Sequence, residues 1–455
     1  MSDPLDDLAS ALAAIVGDRH VLTDPDQRAG YETDWTGRFH GAARLVVRPA
    51  STDEVAAVVA ICAQHGAAIV PQGGNTGLVG ASVPRNGEVV LSTTRLTRCD
   101  PVDTTSGQVT VGAGLTLAVV RDHARSAGFD LAVDFAARDS ATIGGAVATN
   151  AGGSRVVRFS TMRAQVAGVQ AVMANGTIVG SLSGLPKETI GLHLPSLLSG
   201  SEGTLAIITA VRLRLVPWYR STATALVALD SLAEAVRVLP QFRQSLPHLD
   251  SVELVMPSAM RLVCAHLGQA CPVDATAGAY LLVECAAHGD PLDDLVQALL
   301  QHTPHSSSAV ATDHVMRSHL LALRDNITVA INHIGVPLKL DVAVPLDALA
   351  ATATDIESIV ARLAPLASLV IFGHLAEGNL HVNILDAGPA ASALTDAVLQ
   401  LVIDRGGAIS AEHGIGVAKT QWLVAQRGSA EISLMRSVKH ALDPDTLFNP
   451  GVLLA

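Results

Sequence analysis

The stretch PQGGNTGLVGASVP, residues 71–84, concentrates glycines at the point where a short apolar run ends. Residues 44–48 are apolar and β-branched, and residues 51–66 begin with a capping box and end in glycine, which predicts a helix. Residues 67–70 are apolar again and predict a second short strand. A strand, a helix and a strand therefore lead directly into this first glycine segment, and the pattern predicts an α+β architecture.

The glycine composition indicates a site for a phosphate-containing ligand. Glycines let backbone N–H groups point inward at an anion, and phosphate is a natural ligand for such a loop. A second glycine segment, SATIGGAVATNAGG at residues 140–153, has small residues that permit close approach to a flat ligand. Neither segment has the GxGxxG or GxxxxGK[ST] spacing, which disfavours a Rossmann or P-loop site. Two ordinary glycine-rich turns remain the alternative interpretation.

The composition excludes several functional classes. The chain has 455 residues, 49% of them hydrophobic, which is enough for two or three domains with their own cores. A formal net charge of -12 argues against a nucleic-acid partner. The acidic start is unlike a secretory signal, and no apolar run approaches a membrane span, so we expect a cytoplasmic protein. The five cysteines lack CxxC spacing, which indicates reduced thiols rather than an iron–sulfur site.

Periodicity along the chain predicts the domain organisation. An amphipathic helix at residues 4–16, with Asp3 as its cap, begins the first domain, and an alternating strand at residues 211–217 closes it. From about residue 221 strands and helices alternate again, and a last helix is predicted at residues 429–442. We therefore expect a first domain at 1–217, a second at 218–420 and a C-terminal segment at 421–455.

A histidine hairpin, VIFGHLAEGNLHVNI at residues 370–384, is the strongest candidate for a metal site. With Glu377-Gly378 as the loop, His374 is predicted directly across from His381, and Asn383 shares the face of His381. The adjacent pair Glu412-His413 adds a carboxylate and a third imidazole. Two histidines and a carboxylate suit Zn²⁺ or Mn²⁺ acting as a Lewis acid. Ordinary hydrogen-bonded histidines remain the alternative.

Three polar side chains between residues 324 and 339 are candidates for binding a carboxylate. Residues 313–333 have helical spacing, and Arg324 and Thr328 stand four residues apart on one face. In the strand pattern VPLKLDVAVP, Lys339 lies opposite the apolar face, together with Asp341. Solvated surface charges are the alternative interpretation of Arg324 and Lys339.

Six motifs together resemble a known family. They are PQGGNTGLVGASVP, SATIGGAVATNAGG, GSEGTLAIIT, GHLAEGNLH, SAEHGIG and DPDTLFNPG, in this order along nearly the whole chain. They resemble the FAD-binding flavoproteins of the vanillyl-alcohol oxidase and p-cresol methylhydroxylase superfamily, in particular the D-2-hydroxyacid dehydrogenase branch. The resemblance implies a two-part FAD-binding domain of the p-cresol methylhydroxylase type, an α+β substrate domain, and a C-terminal segment that returns to the FAD domain.

The resemblance also implies which residues bind FAD. The first glycine segment would hold the pyrophosphate, the second would line the remaining cofactor, the GSEGTLAIIT motif would lie near the adenosine, and Asn449 would meet the flavin. No histidine or cysteine lies in residues 71–84, so non-covalent FAD is expected. The cofactor-binding residues implied are Pro71, Gly73, Gly74, Asn75, Thr76, Gly77, Leu78, Gly80, Ala81, Ser82, Ser140, Thr142, Ile143, Gly144, Gly145, Asn150, Gly152, Gly153, Glu202, Gly203, Ile208 and Asn449.

The remaining roles follow from the same resemblance. His374, His381 and Glu412 would bind the metal, and His413 would bind substrate and act as the general base. The substrate-binding set would include Arg324, Thr328, Lys339 and Asn383, and the spacing of the first three resembles D-2-hydroxyglutarate dehydrogenases, which implies a diacid. Electrons would pass to a separate acceptor, either an electron-transfer flavoprotein or another carrier. The expected assembly is a homodimer.

Three alternatives differ in function. D-lactate or glycolate as the substrate keeps the enzyme class and makes Arg324 and Lys339 dispensable. A metallohydrolase would use the histidine cluster without a flavin. A flavin-binding protein without turnover would show no reaction with any D-2-hydroxy acid.

Overall fold

The computed structural model of the protein describes residues 4–454. In chain order the strands are β1 (Val21–Leu22), β2 (Leu45–Val47), β3 (Ile69–Gln72), β4 (Val89–Ser92), β5 (Gln108–Gly112), β6 (Phe129–Asp130), β7 (Val166–Val172), β8 (Ile178–Ser181), β9 (Ile207–Arg214), β10 (Val216–Pro217), β11 (Ser221–Leu229), β12 (Leu249–Val255), β13 (Ala279–Ala287), β14 (Ser308–Val310), β15 (Leu338–Ala343), β16 (Ser368–His374) and β17 (Asn379–Leu385).

The helices follow the same order. They are α1 (Pro4–Val16), α2 (Pro25–Glu32), α3 (Thr52–Gln64), α4 (Leu117–Ser126), α5 (Ile143–Ala148), α6 (Val156–Phe159), α7 (Met162–Gln165), α8 (Leu194–Leu198), α9 (Leu232–Ser245), α10 (Pro257–Leu267), α11 (Leu292–His302), α12 (His314–Asp325), α13 (Ile327–Ile334), α14 (Leu346–Leu363), α15 (Ala391–Asp404), α16 (Leu423–Arg427) and α17 (Ser429–Leu442). Within residues 4–454, no helix is both long enough and apolar enough to cross a membrane.

The chain forms two compact units. The first contains the chain up to Gly153, Ser160–Trp218 and the chain from Glu412 onward, and the second contains Ser154–Phe159 and Tyr219–Ala411. Sequence patterns predict boundaries at residues 217 and 420, whereas the units change at residues 218 and 411. The patterns do not predict that the short segment 154–159 belongs to the second unit.

The first unit contains two four-stranded sheets. One has the order β1-β2-β4-β3 and the other β5-β9-β7-β8. Helix α3 begins as predicted, because the Ser51 hydroxyl accepts the Glu54 N–H at 3.1 Å. Helix α1 has the predicted bounds and buries Leu8 and Leu12 completely. Its predicted cap, Asp3, lies outside the described residues.

The C-terminal segment of the first unit extends the sheet edge at β3. The Ile69 N–H donates to the Leu447 carbonyl at 2.7 Å, and the Asn449 N–H donates to the Ile69 carbonyl at 2.8 Å. Buried Asp443 accepts the N–H groups of Leu447 and Phe448, each at 2.8 Å, and pairs with Lys439. These bonds fix the conformation of the tail and bring Asn449 beside the strand that precedes the first glycine segment.

The second unit is built on one antiparallel sheet with the order β14-β11-β13-β12-β16-β17-β15. Its core includes Tyr280 and Phe372 with residues of α10 and α12. The prediction of a single helix over residues 313–333 is wrong, because α12 ends and α13 begins at Asn326. The Asn326 side chain and the Asn326 backbone N–H both donate to the Ala322 carbonyl, at 3.0 and 3.1 Å, so Asn326 caps the C-terminal end of α12.

A cluster of buried charges anchors segment 154–159 to the second unit. The Asp250 carboxylate accepts hydrogen bonds from Arg155 Nε and Arg158 Nη1, each at 2.9 Å, and the Arg158 guanidinium lies 4.3 Å from the Tyr219 ring centre. All three charged side chains are at most 14% exposed.

Asp250→Ala is expected to lower the free energy of unfolding by about 1.5–3 kcal/mol, because it removes the charged acceptor of two half-buried guanidinium groups. Urea denaturation followed by tryptophan fluorescence and circular dichroism measures the change. Asp230→Ala, at an exposed position of the same unit, is the control. Equal denaturation midpoints for the two variants would contradict a stabilising role for Asp250.

Candidate active site

The two glycine segments, predicted separately from the sequence, contact each other in the first unit. A Cβ atom added to Gly73 would lie 2.3 Å from the Thr142 hydroxyl oxygen, and one added to Gly74 would lie 1.8 Å from the Ser140 carbonyl oxygen. Any side chain at these positions would therefore push the segments apart. Glycine is required here by this close approach of the backbone.

The first glycine segment is held in shape by its own side chains. Asn75 has φ 53°, its amide donates to the Thr33 carbonyl at 2.8 Å, and its amide oxygen accepts the Ser82 hydroxyl at 2.8 Å. A Cβ at Gly77 would meet no atom within 4 Å. The side chains of Asn75 and Ser82 thus stabilise the loop, and Gly77 leaves an open approach to its backbone.

The second glycine segment begins the short helix α5. Thr142 caps it by accepting the Gly145 N–H at 3.3 Å, and Gly144 allows the helix to approach Ala113. The Ile143 side chain is completely buried, so only the backbone of Ile143 is a candidate for the predicted contact with the cofactor. Among the predicted cofactor-binding residues of the two segments, those that are half-buried or exposed are Pro71, Gly73, Gly74, Asn75, Thr76, Gly77, Leu78, Ala81, Ser82, Ser140, Gly145 and Asn150, whereas Gly80, Thr142, Ile143, Gly144, Gly152 and Gly153 are buried.

Glu202 connects three of the motifs in the first unit. Its carboxylate accepts the N–H groups of Ile415 at 2.8 Å and Gly416 at 2.7 Å, and its carbonyl accepts the Asn449 side-chain amide at 2.7 Å. Burial raises the pKa of Glu202 despite these hydrogen bonds. The Glu202 carboxylate therefore holds the loop that follows His413, a contact that the sequence motif does not reveal. Gly203 lies beside Pro71, and Ile208 is buried in the core.

The Asn449 amide oxygen is buried, and within residues 4–454 it has no hydrogen-bond partner. A buried acceptor of this kind costs free energy unless a ligand donates to it. Asn449 also has φ 46°, and backbone strain of this type concentrates at ligand sites. The orphan oxygen and the two glycine segments together fit a cofactor that has hydrogen-bond donors and a phosphate group.

The histidine hairpin has a different register from the predicted one. Phe372, rather than His374, pairs with His381, because the turn includes a short 3₁₀ segment before Gly378. The shift amounts to two residues, and side chains alternate with a period of two, so both histidines still share one face of the sheet. Their ring centres lie 5.2 Å apart and their planes are nearly perpendicular.

Each histidine has a buried carboxylate behind it. His374 Nδ1 lies 2.7 Å from Glu253 Oε1, and His381 Nδ1 lies 3.3 Å from Asp341 Oδ1. Burial favours a raised pKa for Glu253, but the adjacent His374 and Arg324 outweigh it and keep the pKa below its ordinary value. Carboxylates in this position fix the tautomer and orientation of a metal-binding imidazole. The spacing of the sequence signalled neither Glu253 nor Asp341 as a partner of these histidines.

The predicted substrate-binding cations lie on the same sheet face. Arg324 Nε donates to Glu253 Oε2 at 2.7 Å, and its guanidinium lies 4.7 Å from the Phe372 ring centre. Lys339 pairs with Asn383 across β15 and β17, and Asp341 pairs with His381. Arg324 is 16% exposed and Lys339 is half-buried, so neither is a fully solvated charge, and Asp341 beside them is 1% exposed.

The remaining predicted site residues are Thr328, Glu412 and His413. Thr328 is half-buried in the first turn of α13, whereas Arg324 lies in the last turn of α12. Glu377, in the hairpin turn, was not predicted as a site residue, and burial raises its pKa to about 7. Glu412 and His413 begin the final stretch of the first unit and are half-buried.

Comparisons with known proteins identify two domain families in the chain. Residues 219–453 match the model of the C-terminal domain of FAD linked oxidases, and residues 43–181 match an FAD binding domain. The chain is 35% identical to the mitochondrial D-2-hydroxyglutarate dehydrogenase of Bos taurus, over 99% of this chain and 83% of the relative. It is also 35% identical to D-2-hydroxyglutarate dehydrogenase of Xanthomonas citri pv. viticola, over 100% of this chain and 97% of the relative.

The fold is that of a solved flavoprotein. A structure of p-cresol methylhydroxylase with substrate bound has a TM-score of 0.79 and 16% identity, covering 99% of this chain and 97% of that one. The prediction of an α+β fold of the p-cresol methylhydroxylase type is confirmed. With two matching domains and full-length relatives, the chain belongs to the family of FAD-linked oxidases and is an FAD-dependent oxidoreductase.

Proposed function

We propose that this protein oxidises D-2-hydroxyglutarate to the corresponding 2-oxo acid. The observation that carries this proposal is the polar face of the sheet in the second unit, where two carboxylate-backed imidazoles share a face with Arg324 and Lys339. Imidazoles suit a metal that coordinates the reacting end of a 2-hydroxy acid, and the cations suit a second carboxylate. The full-length relatives named D-2-hydroxyglutarate dehydrogenase support the same substrate.

FAD supplies the hydride acceptor of this reaction. The backbone of the first glycine segment holds its pyrophosphate, the second glycine segment lines the remainder, and Asn449 receives a donor of the cofactor at its orphan amide oxygen. FAD is bound non-covalently, since residues 71–84 contain neither histidine nor cysteine. Glu202 supports this site through its main-chain carbonyl, which accepts the side-chain amide of Asn449. Its carboxylate accepts the N–H groups of Ile415 and Gly416 instead.

A divalent metal, Zn²⁺ or Mn²⁺, supplies Lewis-acid chemistry that favours loss of the hydroxyl proton. His374 and His381 are proposed as two of its ligands and Glu412 as the third. The hydrogen bond of His374 Nδ1 with Glu253 and the 3.3 Å contact of His381 Nδ1 with Asp341 would leave Nε2 of each ring as the ligating nitrogen. The perpendicular rings, 5.2 Å apart, are compatible with two ligands of one ion.

The side chains of the protein divide the remaining work. His413 removes the hydroxyl proton as general base, a role for which an imidazole is the commonest choice. Asn383 contacts the substrate from the strand of His381. The distal carboxylate is held by Arg324, Thr328 and Lys339. The hydrogen bond from Arg324 Nε to Glu253 fixes the orientation of the guanidinium group.

Anaerobic reduction of the flavin tests this function. With a panel of D- and L-2-hydroxy acids, we expect D-2-hydroxyglutarate to bleach the flavin absorbance fastest, D-lactate and glycolate more slowly, and L-isomers not at all. Bleaching by D-lactate or glycolate at equal or higher rates would move the substrate assignment to those acids. A flavin that no hydroxy acid bleaches would contradict the dehydrogenase function.

Arg324→Ala is expected to lower kcat/KM for D-2-hydroxyglutarate by about ten- to 150-fold, because a hydrogen bond to a charged group contributes about 1.5–3 kcal/mol. D-lactate lacks the second carboxylate, so its kcat/KM is expected to change much less. Steady-state kinetics on both substrates measure the difference. Thr328→Val, which removes one hydroxyl and retains Arg324, is expected to have a smaller effect in the same direction. Equal losses on both acids would assign Arg324 to the fold or to the shared C1 carboxylate.

The reduced cofactor must transfer its electrons onward. The spacing of the five cysteines lacks the CxxC pattern, which disfavours an iron–sulfur cluster of the chain as the relay. The proposed acceptor is a separate electron carrier, such as an electron-transfer flavoprotein.

A further inference from the structure

A single buried carboxylate contacts two side chains to which different functions are assigned above. Glu253 lies on β12 and its side chain is 4% exposed. One of its oxygens lies 2.7 Å from His374 Nδ1, and the other accepts Arg324 Nε at 2.7 Å. Glu253 thus connects His374, a proposed metal ligand, with Arg324, which is proposed to bind the distal carboxylate of the substrate. Both contacts lie within the second unit.

The chemistry of this bridge requires a carboxylate. An ionised glutamate is an acceptor at both oxygens, so it can receive the imidazole N–H and the guanidinium N–H at once. A glutamine at the same place has one acceptor and one donor, and its NH₂ group would face either Arg324 or His374, which both donate. Only one of the two contacts would then survive. Charge-assisted bonds of this kind are also about twice as strong as neutral ones.

The surroundings of the bridge fix its two partners further. His374 pairs with Glu253 across β12 and β16, so the backbone register determines their separation. Phe372 lies two residues from His374 on the same face, and the Arg324 guanidinium stacks on its ring at 4.7 Å. Arg324 is therefore restrained at Nε and along one face, and its terminal nitrogens are presented in one direction.

We propose that Glu253 is a positioning residue that sets the geometry of the metal site and the diacid preference together. It orients His374 through Nδ1, and it aims Arg324 through Nε. This inference rests on the proposed function, and it adds that the two halves of substrate recognition share one anchor. Neither half can be changed at Glu253 without affecting the other.

The test compares Glu253→Gln with Glu284→Gln. Glu284 is the matched control because it also holds an arginine of α12, Arg317, at 2.6 Å, while its other bond goes to Thr224 rather than to a histidine. Both variants are prepared with FAD bound and are stripped of metal with EDTA. Affinity for Zn²⁺ alone is then measured by competition with a chromogenic chelator, and kcat/KM is measured with D-2-hydroxyglutarate and D-lactate after reloading.

Glu253→Gln is expected to weaken Zn²⁺ binding by about 10–100-fold, the usual effect of losing a carboxylate behind a ligating histidine. It is also expected to lower kcat/KM more for D-2-hydroxyglutarate than for D-lactate. Glu284→Gln should leave both the Zn²⁺ affinity and the ratio of the two substrates near the wild-type values, even if its thermal stability falls.

Two results would overturn the inference. If the Zn²⁺ affinity of Glu253→Gln is within about twofold of wild type, Glu253 does not position His374 for the metal. If the ratio of kcat/KM for D-2-hydroxyglutarate to that for D-lactate is unchanged, Glu253 does not position Arg324. A wild-type protein that binds no Zn²⁺ would instead contradict the proposed metal centre. In that case the substrate ratio still decides whether Glu253 positions Arg324.

Discussion

His381→Ala is expected to reduce turnover of D-2-hydroxyglutarate by more than about 100-fold, which exceeds the usual effect of losing a residue behind a metal ligand. The reason is that His381 is one of two imidazoles on the polar sheet face, and its ring is fixed by Asp341 on the adjacent strand. Metal content by mass spectrometry should fall in parallel with activity. FAD absorbance should be unchanged, since both glycine segments belong to the other unit.

The control for this experiment is His333→Ala. His333 is an exposed histidine of α13 that packs edge-on against His266, so its removal deletes an imidazole of the same unit outside the proposed site. Dialysis of the wild-type protein against EDTA should reproduce the loss, and added Zn²⁺ or Mn²⁺ should reverse it. Full activity in metal-free protein would eliminate the metal from the mechanism.

His413→Ala is expected to lower kcat/KM by about 10²–10⁴-fold, the usual contribution of a general base. FAD content and Zn²⁺ affinity should stay close to wild type in the variant.

His193→Ala serves as the control for the His413 experiment. His193 is an exposed histidine of the first unit whose ring contacts the Ser196 hydroxyl at 2.8 Å. An unchanged kcat/KM in His413→Ala would mean that another group takes the proton. A loss of Zn²⁺ affinity in that variant would make His413 a ligand rather than a base.

The local elements of this fold are encoded in short stretches of sequence. The capping box at Ser51 and the helix at residues 429–442 both appear where the sequence predicts them. Each depends on bonds between residues a few positions apart, and such bonds form independently of the remaining chain. The continuous helix predicted over residues 313–333 is wrong, because α12 ends and α13 begins at Asn326.

The histidine hairpin shows the limit of local reasoning. The sequence identifies both strands and the face that His374 and His381 share, because alternation along a strand survives a shift of two residues. The predicted pairing of His374 with His381 is wrong, because the turn adopts a 3₁₀ segment that lengthens the loop. The predicted face of the two histidines is unchanged only because the shift in register is even.

The sequence alone determined the order of the motifs, the glycine segments, the two histidines and the family to which the chain belongs. Tertiary structure decided which side chains stand behind them. Glu253 and His374 are 121 positions apart, and they meet because β12 and β16 are neighbours in the sheet. Glu202 and Gly416 are 214 positions apart, and they meet because the C-terminal stretch folds into the first unit. Strand order and chain return are set by packing of the whole core, which no window of local sequence contains.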